Sequence, residues 1–351
     1  FQSSLLTAVG AFGEGAPFKE CVTHGWTVDG EGRAMHKSLG NGVDPADIFN
    51  ENGADILRLW AASADYHADV RCSKAIFQQL SQNYLKFRNT CKFMLDNLVD
   101  FDPTHLTKAE DMPVLDRWLI TKLNELVEKV EQSYNDYEFH IITHAVNDFC
   151  VTTLSSFYLD IVKDRLYCEA ADSAERRSAQ TALYLTLSTL AKLFAPILAF
   201  TCDEIWLAMP HTAEDDARNV VLNDMNKPFT AYALDAETMA RWEHIIEVRT
   251  AVNGALEEAR AAKVIGKSLE ADVHLTVPEG DVFLADENPA ALADLFIVSK
   301  VELTVGGELA VKVENAAGTK CPRCWKHSLT PNAEGLCPRC AEVVRHLPDL
   351  L

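Results

Sequence analysis

The chain has 351 residues, of which 48% are hydrophobic, and a formal net charge of −20 at pH 7. This length predicts about two or three domains, and the apolar fraction is typical of globular cores. The acidic balance opposes indiscriminate attraction to phosphate or anionic lipid, so a nucleic-acid partner must be recognised by a local surface. No apolar run approaches the ~18 residues of a membrane span and the first residues lack a secretory pattern, so we expect neither membrane insertion nor secretion.

The first 41 residues are short segments separated by glycines, as at the edge of an α/β domain. Residues 1–9 predict an amphipathic helix, and CVTHGW at 21–26 predicts a strand. The run DGEGRAMHKSLGN at 29–41 has neither a helical nor a strand period, so it predicts a loop. Because a helical pattern begins at Phe1 with no methionine before it, we expect a fragment of a larger protein.

Helical patterns dominate from there to about residue 265. Asp44, followed by proline, predicts the capped start of a helix that Gly53 ends, and a second helix follows in ADILRLWAAS. Ser73 predicts the cap of a long helix to about residue 97. A kink or break is predicted at Pro196, within the third of four further long helices at 114–134, 139–168, 174–209 and 236–262. Antiparallel helices of this length bury a core without a sheet.

After Gly266 the apolar period changes to two, which predicts strands. Alternating apolar residues lie at 273–277, 301–305 and 311–313. We therefore expect a small α+β domain before the cysteine pairs that follow.

The ten cysteines fall into two groups. Six are scattered through apolar surroundings, as is usual for reduced, buried thiols in cytoplasmic proteins. The other four form a C-x2-C-x12-C-x2-C pattern with Cys321, Cys324, Cys337 and Cys340. Two such knuckles surround one tetrahedral centre, which predicts one structural Zn²⁺ per chain with no open position for a reactive water. A pair of disulfides fits poorly with a cytosolic chain.

The same unit is basic and aromatic in an otherwise acidic chain. Arg323, Trp325, Lys326 and Arg339 combine positive charge with a stacking surface, which suits contact with an RNA backbone and its bases. The alternative is that Trp325 packs the small core of the knuckle while the charges are solvated. The sequence leaves both interpretations open.

Lys37 and Ser38 lie in the predicted loop just ahead of Gly40 and a capped helix. Backbone N–H groups, a hydroxyl and an ammonium together form an anion cradle of the kind that holds phosphate, and His36 is placed to donate there too. The residue order of a Walker A loop is absent. The alternative is a solvated turn, the usual setting of a lysine beside glycines.

Several segments resemble one family. AMHKSLGN at 34–41 resembles the KMSKS signature of class I aminoacyl-tRNA synthetases, and GADILRLWAAS resembles the segment that follows it in the isoleucine, valine and leucine group. LDRWLITKLN, SFYLDIVKDRLYC, RRSAQTALY and FAPILAFTCDEIW resemble the anticodon-binding domain of isoleucyl-tRNA synthetases, and CPRCWKH with CPRC resembles their bacterial C-terminal zinc unit. The resemblance covers nearly the whole chain.

The resemblance implies a mainly α fold in five parts. These are the C-terminal edge of a class I α/β catalytic domain (1–41), stem-contact helices (42–100), an antiparallel anticodon-binding helical bundle (101–265), a small α+β domain (266–317) and a zinc-binding unit (318–351). The implied activity is the joining of isoleucine to tRNA(Ile) through an adenylate. The implied partners are tRNA(Ile), ATP with Mg²⁺ and isoleucine, for a cytoplasmic monomer away from membranes. The HIGH motif and editing domain of the family lie outside this sequence, so we expect a C-terminal fragment that is inactive alone.

For the signature loop, the resemblance implies that Lys37 and Ser38 are catalytic and stabilise the pyrophosphate leaving group. It implies ATP contacts from Met35, His36, Lys37 and Ser38. The sequence departs from the family pattern at Ala34, where the family has its first lysine, and at His36, where it has its first serine. Arg33 or His36 is therefore the candidate for the second contact.

Two alternatives stand beside this interpretation. A valyl-tRNA synthetase would share the loop and the bundle, but that family typically ends in a coiled-coil arm, so the cysteine pairs argue against it. A noncatalytic zinc-containing RNA-binding module would share the bundle and the zinc unit, and its loop would be only a turn.

Overall fold

The structure is a computed structural model that describes residues 1–13, 15–281, 283–286 and 289–347. Its helices are α1 (Gln2–Ala11), α2 (Pro45–Asn52), α3 (Ala54–Ser63), α4 (Lys74–Asp96), α5 (Val114–Asn135), α6 (Phe139–Asp148), α7 (Leu159–Cys168), α8 (Ala174–Phe194), α9 (Ala199–Ala208), α10 (Ala236–Ala261), α11 (Phe283–Asp286), α12 (Pro289–Phe296) and α13 (Pro338–Arg345). Its strands are β1 (Thr27–Val28), β2 (Val70–Arg71), β3 (Ala271–Val277), β4 (Lys300–Val305), β5 (Ala310–Asn315), β6 (Thr319–Lys320) and β7 (His327–Ser328). The mainly α fold predicted from the sequence is confirmed.

The N-terminal part contains little sheet. β1 and β2 pair in parallel over two residues each, with Thr27 opposite Val70. The strand predicted at 21–26 is wrong, because these residues form no strand and Trp26 is 80% exposed. A strand needs a neighbour to complete its hydrogen-bond ladder, and β2 supplies only a two-residue partner that pairs after this run. The helix predicted at 1–9 is present as α1, but it has no buried residue, so the amphipathic character predicted for it is wrong.

Helix α3 joins this N-terminal part to the helical bundle. The Asp55 carboxylate accepts hydrogen bonds from the Thr201 amide (2.8 Å) and hydroxyl (2.6 Å), where it caps the start of α9. One turn later, Arg58 donates to the carbonyl oxygens of Pro196 (2.7 Å) and Ile197 (2.9 Å). The helix break predicted at Pro196 is confirmed, and α3 satisfies the polar backbone groups that this break exposes.

The bundle helices follow the predicted pattern, with one departure. Ser73, Ser173 and Asp235 cap α4, α8 and α10 with side-chain oxygens. The helix predicted at 139–168 is continuous, but its middle third, Phe149–Tyr158, is a π-helix, which we call the π segment. Its turns are wider than those of an α-helix, and such turns frequently occur at functional sites. The core between these helices is fully buried at Leu119, Ile120, Leu123, Val130, Ile142, Cys150, Leu183, Leu187 and Trp206.

A polar cluster lies inside this apolar core. The Asp116 carboxylate on α5 is fully buried and accepts hydrogen bonds from Ser178 Oγ (2.6 Å), Tyr158 Oη (2.8 Å) and Arg165 Nη1 (3.1 Å). These partners lie on α8, the π segment and α7. Because both carboxylate oxygens are satisfied and the charge is paired, the cluster holds four helical segments in one arrangement.

The last part combines a three-stranded sheet with α12. The strand order is β4-β3-β5, with β3 parallel to β4 and antiparallel to β5. The predicted alternation is confirmed on β3, where Ala271, Val273, Leu275 and Val277 are buried and the residues between them are half-buried. These apolar residues are continuous with the core of the bundle.

Among the residues that the structure describes, no helix is both long and apolar enough to cross a membrane. The division of the chain at residues 41, 100, 265 and 317 stays a prediction.

Replacement of Asp116 by alanine should strongly destabilise the bundle, because it leaves the Arg165 guanidinium without its buried partner. We expect the free energy of unfolding to fall by about 3–5 kcal/mol, measured by urea unfolding followed by far-UV circular dichroism. Glu128→Ala, an exposed carboxylate on the same helix, is the matched control and should change it by less than about 0.5 kcal/mol. Equal stability of the two variants would contradict the structural role of the cluster.

Candidate nucleotide loop and metal centre

One carboxylate organises the glycine-flanked loop. Asp29, directly after β1, is 6% exposed and accepts hydrogen bonds from the Arg33 amide (2.8 Å) and guanidinium (2.9 Å), the Glu31 amide (3.0 Å) and Asn41 Nδ2 (2.8 Å). Asn41 also bonds the first half of the loop, through Nδ2 to the Ala34 carbonyl and through Oδ1 from the His36 amide. The Asn41 amide is the largest cause that holds the pKa of Asp29 well below its usual range. This carboxylate therefore stays charged and holds both ends of the loop together.

The second half of the loop faces solvent. Residues Lys37–Leu39 form a single 3-10 turn, which ends at Gly40 in a left-handed conformation (φ +61°). Lys37 and Ser38 are exposed, whereas Met35 is half-buried against a small apolar cluster around Ile48 and Ile56. The Lys37 ammonium and the Ser38 hydroxyl therefore lie on a short exposed turn. The residues before this turn are held by hydrogen bonds to Asp29 and Asn41.

Arg33 and His36, the two candidates to replace the family's first lysine at Ala34, differ in their contacts. Arg33 is engaged by Asp29 and lies 3.1 Å from a Glu31 carboxylate oxygen, and these partners raise the pKa of its guanidinium. His36 is exposed, and no hydrogen bond to its imidazole is present among the described residues. The sequence reasoning missed Asp29 and Asn41 as holders of the loop, although an aspartate between a strand and a G-x-G turn is a usable signal.

The four paired cysteines converge on one point. Their sulfur atoms all lie within 4.8 Å of one another, and the Sγ atoms of Cys324 and Cys337 are 3.8 Å apart. Sulfur ligands about 2.3 Å from a tetrahedral ion lie about 3.8 Å from each other, so the cluster fits a metal of this kind. Burial raises the pKa of the Cys321 thiol, but hydrogen bonds from the backbone at Cys324, Cys337 and Arg323 outweigh it and bring the pKa to about 6. The cluster could hold one metal ion.

Local backbone geometry brings the thiols together. In the first knuckle, the Trp325 amide donates to the Cys321 carbonyl and the Cys321 amide donates to the Lys326 carbonyl. This tight turn holds Trp325 at φ +65°, a conformation that is rare for a bulky side chain. In the second knuckle, Cys337 precedes α13 and Cys340 lies in its first turn.

The unit formed by residues 319–345, the metal-binding unit, docks on α7 through its basic side chains. Arg339 lies within 2.8 Å of carboxylate oxygens of Asp164 and Glu169. Arg323 donates to the carbonyl oxygens of Tyr167 and Cys168, and Lys326 pairs with Asp294 on α12.

Trp325 has a different environment from these three basic residues. Its side chain is 54% exposed, with the Lys267 ammonium 5.5 Å from its ring centre. The interpretation in which Trp325 packs the knuckle core therefore does not describe its position. An RNA-binding role for Arg323, Trp325, Lys326 and Arg339 stays a prediction.

An open cleft lies beside Trp325, between α7 and the metal-binding unit. Its volume is about 430 Å³, and we call it the α7 cleft. Trp325 and Tyr167, which is 56% exposed, supply aromatic surface, and Lys163, Asp164 and Arg323 supply charged groups. The cleft therefore combines aromatic and charged groups.

The scattered cysteines follow the expected pattern except at one position. Cys72, Cys91, Cys150, Cys168 and Cys202 are buried free thiols, whereas Cys21 is exposed. Burial raises the pKa of Cys150 to about 12, so this thiol stays protonated at neutral pH. The expectation of a buried thiol is wrong for Cys21, because the segment around it lies on the surface.

Two family models and several relatives indicate the same class of protein. Residues 116–275 match the family described as the anticodon-binding domain of tRNA ligase, and residues 1–73 match the class I tRNA synthetases (I, L, M and V). The chain is 46% identical to isoleucine–tRNA ligase from Moorella thermoacetica over 99% of its own length, and 47% identical to that of Desulforamulus reducens over 98%. It spans 39% of the length of each of these relatives.

Among solved structures, the fold is similar to that of a LeuRS from Agrobacterium radiobacter K84. The crystal structure of the ternary complex of Agrobacterium radiobacter K84 agnB2 LeuRS-tRNA-LeuAMS matches with a TM-score of 0.51 and 15% identity. The match covers 90% of this chain and 30% of that chain. At this identity the likeness concerns the fold alone.

Loss of one clustered thiol should remove the metal. We expect about one equivalent of metal per chain in the unaltered protein by elemental analysis and close to none in Cys340→Ala, because three ligands bind a tetrahedral ion far more weakly than four. Cys21→Ser, an exposed cysteine outside the cluster, is the matched control and should keep its metal. Retention of a full equivalent by Cys340→Ala would contradict the assignment of the ligands.

Proposed function

The chain belongs to the class I aminoacyl-tRNA synthetases, and on this premise we propose that it forms part of an isoleucine–tRNA ligase, which activates isoleucine with ATP and transfers it to tRNA(Ile). The observation that carries the proposal is the exposed Lys37–Ser38 turn, held by Asp29 and Asn41, in a chain whose whole length matches isoleucine–tRNA ligases. Every other assignment below depends on that combination.

The loop would act on ATP in the activation step. Attack of the isoleucine carboxylate on the α-phosphorus moves negative charge onto the departing pyrophosphate. The Lys37 ammonium and the Ser38 hydroxyl, on an exposed turn, would stabilise that charge more in the transition state than in the ground state. Met35 and His36 would complete the ATP contacts, with Mg²⁺ bound to the phosphates.

The helical bundle and the metal-binding unit would bind the anticodon arm of the tRNA. The α7 cleft supports this assignment, because Tyr167 and Trp325, each more than half exposed, offer aromatic surface for unstacked bases. Arg323, Lys326 and Arg339 already bind protein groups, so their first role would be to hold Trp325 against α7. Recognition would then depend on stacking more than on direct ion pairs from these three residues.

The metal would be one Zn²⁺ with a structural role. Four thiolates fill a tetrahedral shell, which leaves no position for a reactive water, and binding would be coupled to folding of the metal-binding unit. The five buried free thiols suit a reducing compartment, so we place the protein in the cytoplasm, and we propose that it acts as a monomer.

Lys37→Ala in the complete synthetase should lower the rate of ATP–pyrophosphate exchange by roughly two to three orders of magnitude, as is usual on removal of one transition-state donor. Lys19→Ala, an exposed lysine outside the loop, is the matched control and should leave the rate unchanged. An undiminished rate in Lys37→Ala would exclude the proposed role of the loop.

His36→Ala and Arg33→Ala test which residue replaces the missing lysine. Because Arg33 is already paired with Asp29 whereas the His36 ring is free to reach phosphate, we expect His36→Ala to lower the exchange rate by about tenfold or more and Arg33→Ala to have the smaller effect. If both variants keep the full rate, neither residue compensates for Ala34.

Trp325→Ala should weaken tRNA(Ile) binding by about 1–3 kcal/mol, the usual worth of one stacked base, in a filter-binding assay. Trp325→Phe should restore part of the affinity, because it keeps an aromatic face. Trp26→Ala, which removes an exposed tryptophan of the N-terminal part, is the control. Unchanged affinity in Trp325→Ala, with metal content intact, would contradict a stacking role.

A further inference from the structure

Arg323 differs from the other basic residues around the cysteine cluster. Lys320, Lys326 and Arg339 each form an ion pair with a carboxylate. Arg323 is half-buried, yet among the residues that the structure describes no carboxylate lies within ion-pair distance of its guanidinium. Because a charged group that leaves water needs a compensating partner, the positive charge of Arg323 must be balanced in another way.

The partners of Arg323 are two carbonyl groups and one sulfur atom. Its guanidinium donates to the carbonyl oxygens of Tyr167 and Cys168 at the C-terminal end of α7. Its Nη1 atom also lies 3.7 Å from Cys340 Sγ, one of the four clustered sulfurs. Arg323 therefore connects the metal cluster directly to α7.

The charge of the occupied cluster supplies the partner that Arg323 lacks. Four thiolates around one divalent ion leave a net charge of about −2 on the cluster. A guanidinium N–H group donates strongly to a ligand atom that carries negative charge, and such contacts orient the ligands and help to retain the metal. The hydrogen bond from Arg323 to Cys340 is a contact of this kind.

The same surface of α7 covers the sulfur atoms. Cys321 and Cys340 are fully buried, and Cys168 of α7 packs in the same apolar cluster with 6% of its surface exposed. The Cys168 Sγ atom lies 3.8 Å from the Arg323 carbonyl oxygen, so the first knuckle covers this thiol. Separation of the metal-binding unit from α7 would expose the cluster and the Cys168 thiol together.

We propose that metal binding and docking on α7 are coupled, and that Arg323 is the positioning residue that couples them. The proposal rests on the metal centre of the proposed function and concerns metal retention. With metal bound, Cys340 is held where Arg323 can bridge it to the end of α7, and the docked unit retains the metal. Without metal, the four sulfurs are no longer held around one point, so the bridge is lost and docking weakens. Such coupling is reciprocal, so a change that weakens docking also weakens metal binding.

Arg323→Met in the full chain tests the coupling from the side of the metal-binding unit. We expect a loss of Zn²⁺ affinity of roughly 10-fold to 100-fold, the usual effect of removing a partner of a metal ligand, measured by competition with a chromogenic chelator. Arg323→Lys should recover part of the affinity, since it keeps a positive charge near Cys340. Arg345→Met, which removes an exposed basic side chain of α13, is the matched control and should bind Zn²⁺ as the unaltered chain does.

Asp164→Asn tests the coupling from the side of α7. Asp164 accepts hydrogen bonds from Arg339 but is not part of the metal-binding unit, so its replacement weakens docking without changing a ligand. We expect Zn²⁺ affinity to fall by about fivefold or more. Asp160→Asn, one turn earlier on α7, is the matched control, because Asp160 pairs with Lys163 of its own helix.

The Cys168 thiol reports docking directly. In the metal-bound chain we expect it to resist alkylation by iodoacetamide, followed by peptide mass spectrometry. After removal of the metal with excess chelator, Cys168 should react about tenfold faster or more, because its exposure increases. Cys150, which is fully buried in the core of the bundle, is the internal control and should stay unlabelled in both states.

The outcomes separate the coupling from the metal assignment. If the unaltered chain binds Zn²⁺ but Arg323→Met keeps its affinity, or Cys168 stays protected without metal, the coupling is overturned and the metal centre stands. Labelling of Cys150 together with Cys168 would also overturn it, because metal loss would then unfold the bundle instead of releasing one unit. If the unaltered chain binds no Zn²⁺, the metal assignment itself fails, and the coupling fails with it.

Discussion

The C-terminal half of the structure depends on the ion pair and hydrogen bonds of the buried Asp116 carboxylate. It draws Arg165, Tyr158 and Ser178 into one cluster and so sets the position of α7 between α5 and α8. A charge of this kind inside an apolar core is tolerated only when it is paired and hydrogen-bonded, and a shift of α7 would remove Arg165, its only charged partner among the described residues. The geometry of α7 is therefore closely specified.

The position of α7 in turn determines where the metal-binding unit docks at the surface. Arg339 of the metal-binding unit pairs with Asp164 on α7, and Arg323 bonds the carbonyl oxygens at the end of the same helix. The positions of Trp325 and of the α7 cleft follow from α7. In this strongly acidic chain, Arg323 and Arg339 hold units together through protein partners, whereas Lys37 is exposed without an ion pair among the described residues. Its ammonium is therefore accessible to phosphate.

Much of this arrangement was predictable from sequence, because it depends on local patterns. Helical periodicity, caps such as Ser73 and the break at Pro196 are encoded within a few residues, and the spacing of the cysteine pairs specifies a tetrahedral cluster. The strand predicted at 21–26 was wrong because a strand depends on a partner that is distant in sequence. Arg339 was predicted as an RNA ligand, and its contacts with Asp164 and Glu169, about 170 residues away, could not be read from its immediate neighbours.

The features that the sequence did not predict depend on contacts between residues that are not neighbours in the chain. Asn41 bonds Asp29 across the loop, and the α7 cleft forms only where α7 meets the metal-binding unit. The periodicity of apolar residues within one helix does not indicate a π-helical stretch such as Phe149–Tyr158. Composition was nevertheless informative at a coarse level, since the acidic balance requires that any RNA-binding surface be local.

The central proposal is that this chain binds the anticodon arm of an isoleucine tRNA by stacking of its bases. The most direct measurement compares the affinity of the chain for an isoleucine tRNA with its affinity for the same tRNA with abasic nucleotides at the anticodon. The account predicts that removal of these bases weakens binding by about tenfold or more, since stacking in the α7 cleft is lost while the sugar–phosphate backbone remains. Equal affinity for the two molecules would contradict it.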